Sequence, residues 1–188
     1  FILRQQDYKR MLAYSSVEHM GIVATGVAFG GALGFYGALL QLINHAVTKS
    51  LMFFASGHVL LRYETKEMDR VSGVVRLMPA TGGMLILGGL ALTGSPPFGI
   101  FISELTILGA GFSNGHVLPA LVVLALVAAI FVAFLRYINR MAFGAPTEGV
   151  KAGEFSRLGL LAMGISTVLV VGLGVAIPSP LTTLLHQA

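Results

Sequence analysis

The 188-residue chain is 55% hydrophobic and only 11% charged, and its mean hydropathy is +0.84. Because soluble domains carry about 25% charged residues, this composition excludes a water-soluble globular protein. The 24 glycines and 7 prolines are typical of transmembrane helices, where both residues are commoner than in soluble ones. At about 20 residues per crossing, we expect an all-α, polytopic bundle of about five crossings, forming a single transmembrane domain over residues 1–188.

Several function classes are excluded by what the sequence lacks. There is no cysteine, so the chain cannot ligate an iron–sulfur cluster or a thiolate-bound metal, and we predict no metal site. No nucleophile–base pair and no phosphate-binding loop occurs, so no catalytic residue is predicted. The net charge of +4 is explained by basic residues beside membrane spans, and nucleic-acid binding is not expected. Without an initiator Met or a signal-peptide pattern, the chain is expected to be the later part of a longer protein.

The first two predicted spans cover residues 10–33 and 35–61. Both are long enough to cross a bilayer, and a glycine-rich turn around Gly30, Gly31 and Gly34 joins them. The glycines at four-residue spacing in this region indicate close helix packing rather than a phosphate loop. A charged connection then follows over residues 62–76, which is too polar for the hydrocarbon layer.

Several ionisable residues lie within these two spans, and four of them, Glu18, His19, His45 and Lys49, are candidates for function. Lys49 is mid-way along the second, where a lysine costs about 3 kcal/mol on insertion scales, so it needs a partner, water or a function. Gln41, His45 and Lys49 recur every four residues and share one stripe. Glu18 and His19 form a weaker signal, since they can lie near the membrane surface. The alternative for Lys49 and His45 is a packing role, in which they bind backbone carbonyls.

The third span, residues 79–112, is interrupted. As one helix its 34 residues would be roughly 51 Å long, against a hydrocarbon core of about 30 Å. We predict two half-helices, because the two prolines in its middle cannot continue a helix. Glu104 follows the break, where freed backbone groups are tolerated only beside protein or water. The residues of the predicted break are Ser95, Pro96, Pro97 and Gly99.

Two further spans, residues 116–140 and 158–177, complete the predicted topology. This topology places eleven of the twelve basic residues on one side, and Lys49 is the exception. By the positive-inside rule that side is cytoplasmic, and the C-terminus is on the outer face.

Three motifs resemble a known family. They are Asp7-Tyr8-Lys9-Arg10-Met11-Leu12-Ala13-Tyr14-Ser15-Ser16-Val17-Glu18-His19-Met20-Gly21, Asn44-His45-Ala46-Val47-Thr48-Lys49-Ser50-Leu51, and Gly94-Ser95-Pro96-Pro97-Phe98-Gly99 with Ser103-Glu104. In this order they resemble the antiporter-like, proton-translocating membrane subunits of respiratory complex I and of group 4 membrane-bound hydrogenases. The residues of the first and third motifs are most similar to those of the hydrogenase-4 component F type, found in formate hydrogenlyase. The match covers only the later helices of that family's fourteen-helix core.

The resemblance implies a chain of protonatable residues near the membrane mid-plane, linked by water and driven by a partner's redox reaction. Glu104, Lys49, His45 and Lys9 match family positions, and Glu18 and His19 complete the candidate proton-transfer set. Lys9 is equally consistent with an interfacial anchor. Iron–sulfur clusters, nickel–iron or flavin would be on partner subunits, in a peripheral redox arm. Other membrane subunits and lipid are the remaining expected partners, in a prokaryotic-type inner (plasma) membrane.

Two alternatives stay open at this point. One is a subunit of a multisubunit cation/proton antiporter, which shares the same helices and motifs. The other is a membrane scaffold subunit whose polar groups only pack. An oxidoreductase activity, of NADH dehydrogenase or hydrogenase type, would apply only to the whole complex.

Overall fold

The protein is a bundle of membrane helices. The computed structural model describes residues 2–176, in which every regular element is helical. Two short 3₁₀ helices, Ile2–Arg4 and Met68–Arg70, accompany seven α-helices. The α-helices are α1 (Tyr8–Phe29), α2 (Gly31–Tyr63), α3 (Val74–Leu77), α4 (Pro79–Leu92), α5 (Gly99–Ser113), α6 (Val117–Phe143) and α7 (Arg157–Val175).

These helices make five crossings, with α4 and α5 sharing the third. Among the described helices, α6 and α7 are both long and apolar enough to span a membrane alone. Helices α4 and α5 have 14 and 15 residues, so each reaches only part of the way across. The predicted break in the third span is confirmed, because α4 ends at Leu92 and α5 begins at Gly99. Residue 177, the predicted end of the last span, lies outside the described residues, as does the C-terminus.

The turn between α1 and α2 is tighter than the sequence prediction, which extended the first span to residue 33. Helix α1 ends at Phe29 because Gly30 adopts a φ of +70°, a conformation that favours glycine. The Asn114 side chain donates hydrogen bonds to the carbonyls of Phe29 (2.8 Å) and Gly30 (3.0 Å). Because Asn114 lies 84 residues further along the chain than Gly30, no local sequence pattern predicts this cap.

Helix α2 is the centre of the bundle and packs against α1, α4, α5 and α7. Its residues Leu51, Ala55 and Val59 are fully buried. Two glycines allow α1 and α2 to touch, since a Cβ added to Gly34 would lie 2.5 Å from the Gly26 carbonyl oxygen. The predicted packing role of these glycines is therefore seen directly in the structure.

The basic connections gather at one end of the bundle. The amide of Tyr8 donates to the Lys66 carbonyl (3.1 Å), which ties the N-terminal segment to the α2–α3 connection. Arg140, at the end of α6, forms an ion pair with Asp69 (2.9 Å). Arg62 donates to the Gly153 carbonyl (2.6 Å) in the α6–α7 connection. The three polar segments therefore form a single surface, at the end of the bundle opposite the two turns that contain Gly30 and Asn114.

We expect Gly34→Ala to destabilise the bundle by about 1–3 kcal/mol, because the new methyl group overlaps the Gly26 carbonyl. Gly21→Ala is the matched control: it lies on α1 with no atom within 4 Å of an added Cβ. That change should be neutral, or stabilising by up to about 1 kcal/mol. Circular dichroism of the full-length subunit during heating in detergent measures both, and equal midpoints for the two variants would contradict this packing.

Candidate functional site

A cluster of polar side chains fills the space where α1, α2 and α5 meet. We call it the central polar cluster. Its members are Glu18, His19, Gln41, His45, Lys49, Ser103 and Glu104. All are less than 10% exposed except Glu18, whose side chain is 17% exposed. Charged side chains are rarely buried to this extent without partners, so the contacts of each one define what the cluster can do.

Lys49 reaches from α2 to α1. Its ammonium group donates hydrogen bonds to the Leu12 carbonyl and to the Ser15 hydroxyl, the latter at 2.6 Å. It also lies 5.6 Å from the centre of the Phe53 ring. Glu18, one turn beyond Ser15 on α1, is the carboxylate that interacts with it electrostatically. The lysine is therefore held beside an acid and a hydroxyl, both of which can exchange protons.

His19 binds a backbone group that the broken helix sets free. Its Nε2 lies 3.1 Å from the carbonyl oxygen of Leu92, the last residue of α4. This carbonyl needs an outside partner because the helix ends there at membrane depth. On the other side of the ring, Nδ1 lies 2.9 Å from the amide nitrogen of Gln41. The ring centre is 4.6 Å from that of His45, so the two imidazoles are in contact.

The break between α4 and α5 makes room for Glu104. Gly94 has a φ of +69°, and a Cβ at this position would lie 2.3 Å from the Glu104 Oε2 atom. The carboxyl group thus occupies the space that any larger side chain would take. Glu104 also lies within hydrogen-bonding reach of Gln41 and close enough to Glu18 for electrostatic interaction. The neighbouring Ser103 hydroxyl donates to the Gln41 carbonyl.

Two cavities border these acids. A small one of about 10 Å³ is lined by Glu18 and Glu104 together with Ser15 and Thr93. Its size is near the lower limit for holding one water molecule. A larger cavity of about 270 Å³ lies between α5 and α6 and is lined by Glu104 and Gly94. Glu104 therefore faces both the interior line of polar groups and a second, mainly apolar space.

The structure brings together five of the six predicted proton-transfer residues. Lys9 is the exception, since it lies in the first turn of α1 with the other basic residues, nine residues and about 13 Å along the helix axis from Glu18. Glu18 and His19 lie deeper than expected, between α2 and α5. Among the described residues, no three His, Asp or Glu side chains are grouped to hold a metal ion.

Gln41 and Ser103 belong to the cluster although sequence reasoning did not include them among the site residues. The signal for Gln41 was its four-residue spacing from His45, which placed it on the polar stripe of α2. Ser103 was visible only as the neighbour of Glu104. Nothing in the sequence indicated that these two side chains hydrogen bond to each other.

We expect Gly94→Ala to displace the Glu104 carboxyl group, because the new methyl group would overlap it. Gly115→Ala is the matched control, since Gly115 also has a positive φ (+81°) but no atom within 4 Å of an added Cβ. Both changes carry the backbone cost of about 1–2 kcal/mol for a left-handed alanine. The infrared carboxyl band that Glu104→Gln removes should shift only in Gly94→Ala, and a shift of equal size in both variants would refute the contact.

The chain is similar in sequence to known membrane proteins. Residues 1–132 match the family described as "NADH:quinone oxidoreductase/Mrp antiporter, TM". The hydrogenase-4 component F homolog of Methylacidiphilum infernorum is 36% identical over 143 residues, which are 76% of this chain and 30% of that protein. NADH-quinone oxidoreductase subunit N of Desulforudis audaxviator is 35% identical over 185 residues, which are 93% of this chain and 36% of that protein.

The fold is also found in a solved complex. A chain of respiratory complex I from Thermus thermophilus with bound NADH superposes with a TM-score of 0.89 at 25% identity, covering 99% of this chain and 39% of that one. The chain spans about a third of the length of the curated relatives it matches. Since the family match covers most of the 188 residues and the motif-bearing helices adopt the fold of a complex I chain, this protein belongs to the NADH:quinone oxidoreductase/Mrp antiporter transmembrane family.

Proposed function

We propose that this chain moves protons within the membrane as part of a redox-driven complex. One observation carries the proposal: protonatable groups follow one another from Lys49 on α2, through Glu18 on α1, to Glu104 on α5, joined by the Ser15 hydroxyl and a small shared cavity. Lys49 and Glu104 are buried, and Glu18 is mostly buried, in a bundle whose other interior residues are mainly apolar. Buried ionisable groups at membrane depth are costly and typically mark an ion or proton pathway.

The line has two connected routes. In the first, the Lys49 ammonium group meets Ser15 and Glu18, and the small cavity joins Glu18 to Glu104. In the second, His45 touches His19, and Gln41 connects His19 to Glu104. Both routes end at the carboxyl group beside the helix break. Glu104 is therefore the group best placed to exchange protons with the far side of the cluster.

Buried polar atoms along this line favour water as the connecting medium. Within residues 2–176, Asn44 Nδ2, His45 Nδ1 and Ser95 Oγ have no hydrogen-bond partner. Leaving such an atom unsatisfied costs about 1–3 kcal/mol. Water bound to these atoms would remove that cost and would extend the hydrogen-bonded line past the helix break.

A modest electrostatic change can supply the free energy that proton transport requires. Moving one proton against 100 mV costs about 2.3 kcal/mol. A single charge that appears about 7 Å away contributes about the same amount at an effective dielectric constant of about 20. A change in the charge of one neighbouring group can therefore drive one step along the line.

The remaining parts of the proposal concern the whole protein and its partners. Electron transfer would take place on other subunits, in a peripheral redox arm carrying iron–sulfur clusters with nickel–iron or flavin. Further membrane subunits would complete the line, and lipid would cover the exposed apolar faces of α6 and α7. The basic end of the bundle would face the cytoplasm of a prokaryotic-type inner membrane, and the C-terminus the outer face.

A second candidate function is cation/proton antiport, because the description of the matched family also names the Mrp antiporter. The same carboxylates and lysine would then bind and release a cation in exchange for protons. A scaffold role is the third possibility, in which the cluster serves only packing.

Replacing Glu104 tests the main proposal. In membrane vesicles that hold the assembled complex, Glu104→Gln should reduce redox-driven proton uptake by about 10²-fold, the scale of losing a positioned proton carrier. Glu148→Gln is the control, since this exposed glutamate lies in the α6–α7 connection and should leave uptake unchanged. Uptake at the wild-type level in Glu104→Gln would disprove the assigned role.

The same vesicles separate the alternatives. Sodium-dependent pH changes without any redox substrate would favour the antiporter. For a scaffold, Lys49→Ala would lower the amount of assembled complex without selectively lowering proton uptake per complex.

Orientation has its own test, because these 188 residues contain no cysteine. Cysteines introduced singly at Lys151, in the basic α6–α7 connection, and at Ser113, the exposed last residue of α5, should react from opposite sides. A membrane-impermeant thiol reagent should label Lys151→Cys only from the cytoplasmic face and Ser113→Cys only from the outer face. The reversed pattern would invert the proposed topology.

A further inference from the structure

Gln41 lies between two of the ionisable groups that the proposed function uses. Its side chain is fully buried, and its amide nitrogen is 2.9 Å from the His19 Nδ1 atom. Its carbonyl oxygen accepts a hydrogen bond from the Ser103 hydroxyl. It also lies within hydrogen-bonding reach of the Glu104 carboxyl group. A side chain that cannot titrate therefore connects an imidazole on α1 with a carboxyl group on α5.

The directions of these hydrogen bonds fix the proton on His19. An amide nitrogen only donates, so Nδ1 of His19 accepts and the ring proton is on Nε2. From there it is donated to the Leu92 carbonyl at 3.1 Å. A second proton could bind only at Nδ1, where it would meet an N–H group of Gln41. The network in this form therefore excludes the imidazolium ion.

Turning the Gln41 amide produces a second form that is also fully bonded. Its carbonyl oxygen then accepts from a protonated Nδ1, while its NH₂ group faces Ser103. The Ser103 hydroxyl can donate instead to the carbonyls of Gly99 (3.1 Å) or Ile100 (3.0 Å), both already within reach. The bond from His19 Nε2 to Leu92 is the same in both forms. Within His19, Gln41 and Ser103 the two forms thus differ by one proton, and each of these side chains has a hydrogen-bond partner in both.

We propose that Gln41 is a positioning residue that turns its side-chain amide when His19 takes up a proton and so transmits the change to Glu104. The proposal rests on the proposed proton-transfer function. Turning removes an N–H donor from the Glu104 carboxyl group and presents a carbonyl oxygen, to which only a protonated carboxyl can donate.

Other charged groups also face His19. Glu18 lies 3.9 Å from its Nε2, and His45 and Lys49 act on the ring from α2. Their electrostatic effects act on the ring in both orientations of the amide. The hydrogen-bond reversal at Gln41 is a separate link, because it depends on which atoms of the amide face His19 and Glu104.

The test uses the full-length subunit in lipid vesicles, without turnover. Nitrogen-15 NMR of labelled histidines reports the His19 protonation site, assigned with His19→Gln, and the infrared carboxyl band assigned with Glu104→Gln reports Glu104. In the wild type, His19 should carry its proton on Nε2 at high pH, and the two signals should change together on acidification. In Gln41→Leu the two transitions should separate by about tenfold in proton concentration, the effect of one hydrogen bond to an ionised group.

Two further variants keep the proposal falsifiable if Gln41→Leu does not fold. Gln41→Glu retains the length and an acceptor for Ser103 but presents oxygen to Nδ1, so it should favour a second proton at Nδ1 while Nε2 keeps its bond to Leu92. Thr48→Val removes a buried polar atom from the same helix and should behave as the wild type. An unchanged His19 protonation site in Gln41→Glu, or coincident transitions in Gln41→Leu, would overturn the proposal. If the wild-type complex takes up no protons, the proposed function fails, while the NMR and infrared results still decide the link through Gln41.

Discussion

The interruption between α4 and α5 is the constraint on which the rest of the site depends. A helix that ends at membrane depth leaves carbonyl groups without partners, and lipid cannot supply them. Leu92 receives its partner from His19 on a different helix. On the far side of the interruption, Gly94 leaves the space that Glu104 fills. The same break therefore fixes the position of one imidazole and one carboxyl group, and Gln41 lies between these two groups.

Helix α1 connects the polar residues of α2 to those of α5. Lys49 does not contact Glu104; it is held by Leu12 and Ser15 on α1, beside Glu18. Close packing of α1 on α2 makes this possible, and that packing depends on the absence of side chains at Gly26 and Gly34. A feature that serves only packing is thus what brings the lysine within reach of an acid.

The sequence determined the class of the protein and most of its topology. Composition excluded a soluble fold, span lengths and the two prolines gave five crossings with one of them broken, and basic residues marked one end. These properties are local or additive: hydrophobicity, the missing N–H of proline and the spacing of glycines act where they occur in the chain. The ionisable residues stood out for the same reason, because a charge within an apolar segment is anomalous wherever it occurs.

Only the tertiary structure decided which of these residues meet. Glu18 and His19 were a weaker signal in the sequence, and Lys9 fitted either a proton-transfer position or an interfacial anchor. Helix α1 buries the first two between α2 and α5 and leaves Lys9 at the basic end. The partnership of Gln41 with His19 and Ser103 joins residues 22 and 62 positions apart. Such contacts depend on the rotation and separation of packed helices, which arise from the sum of many side-chain volumes, so no single motif in the sequence encodes them.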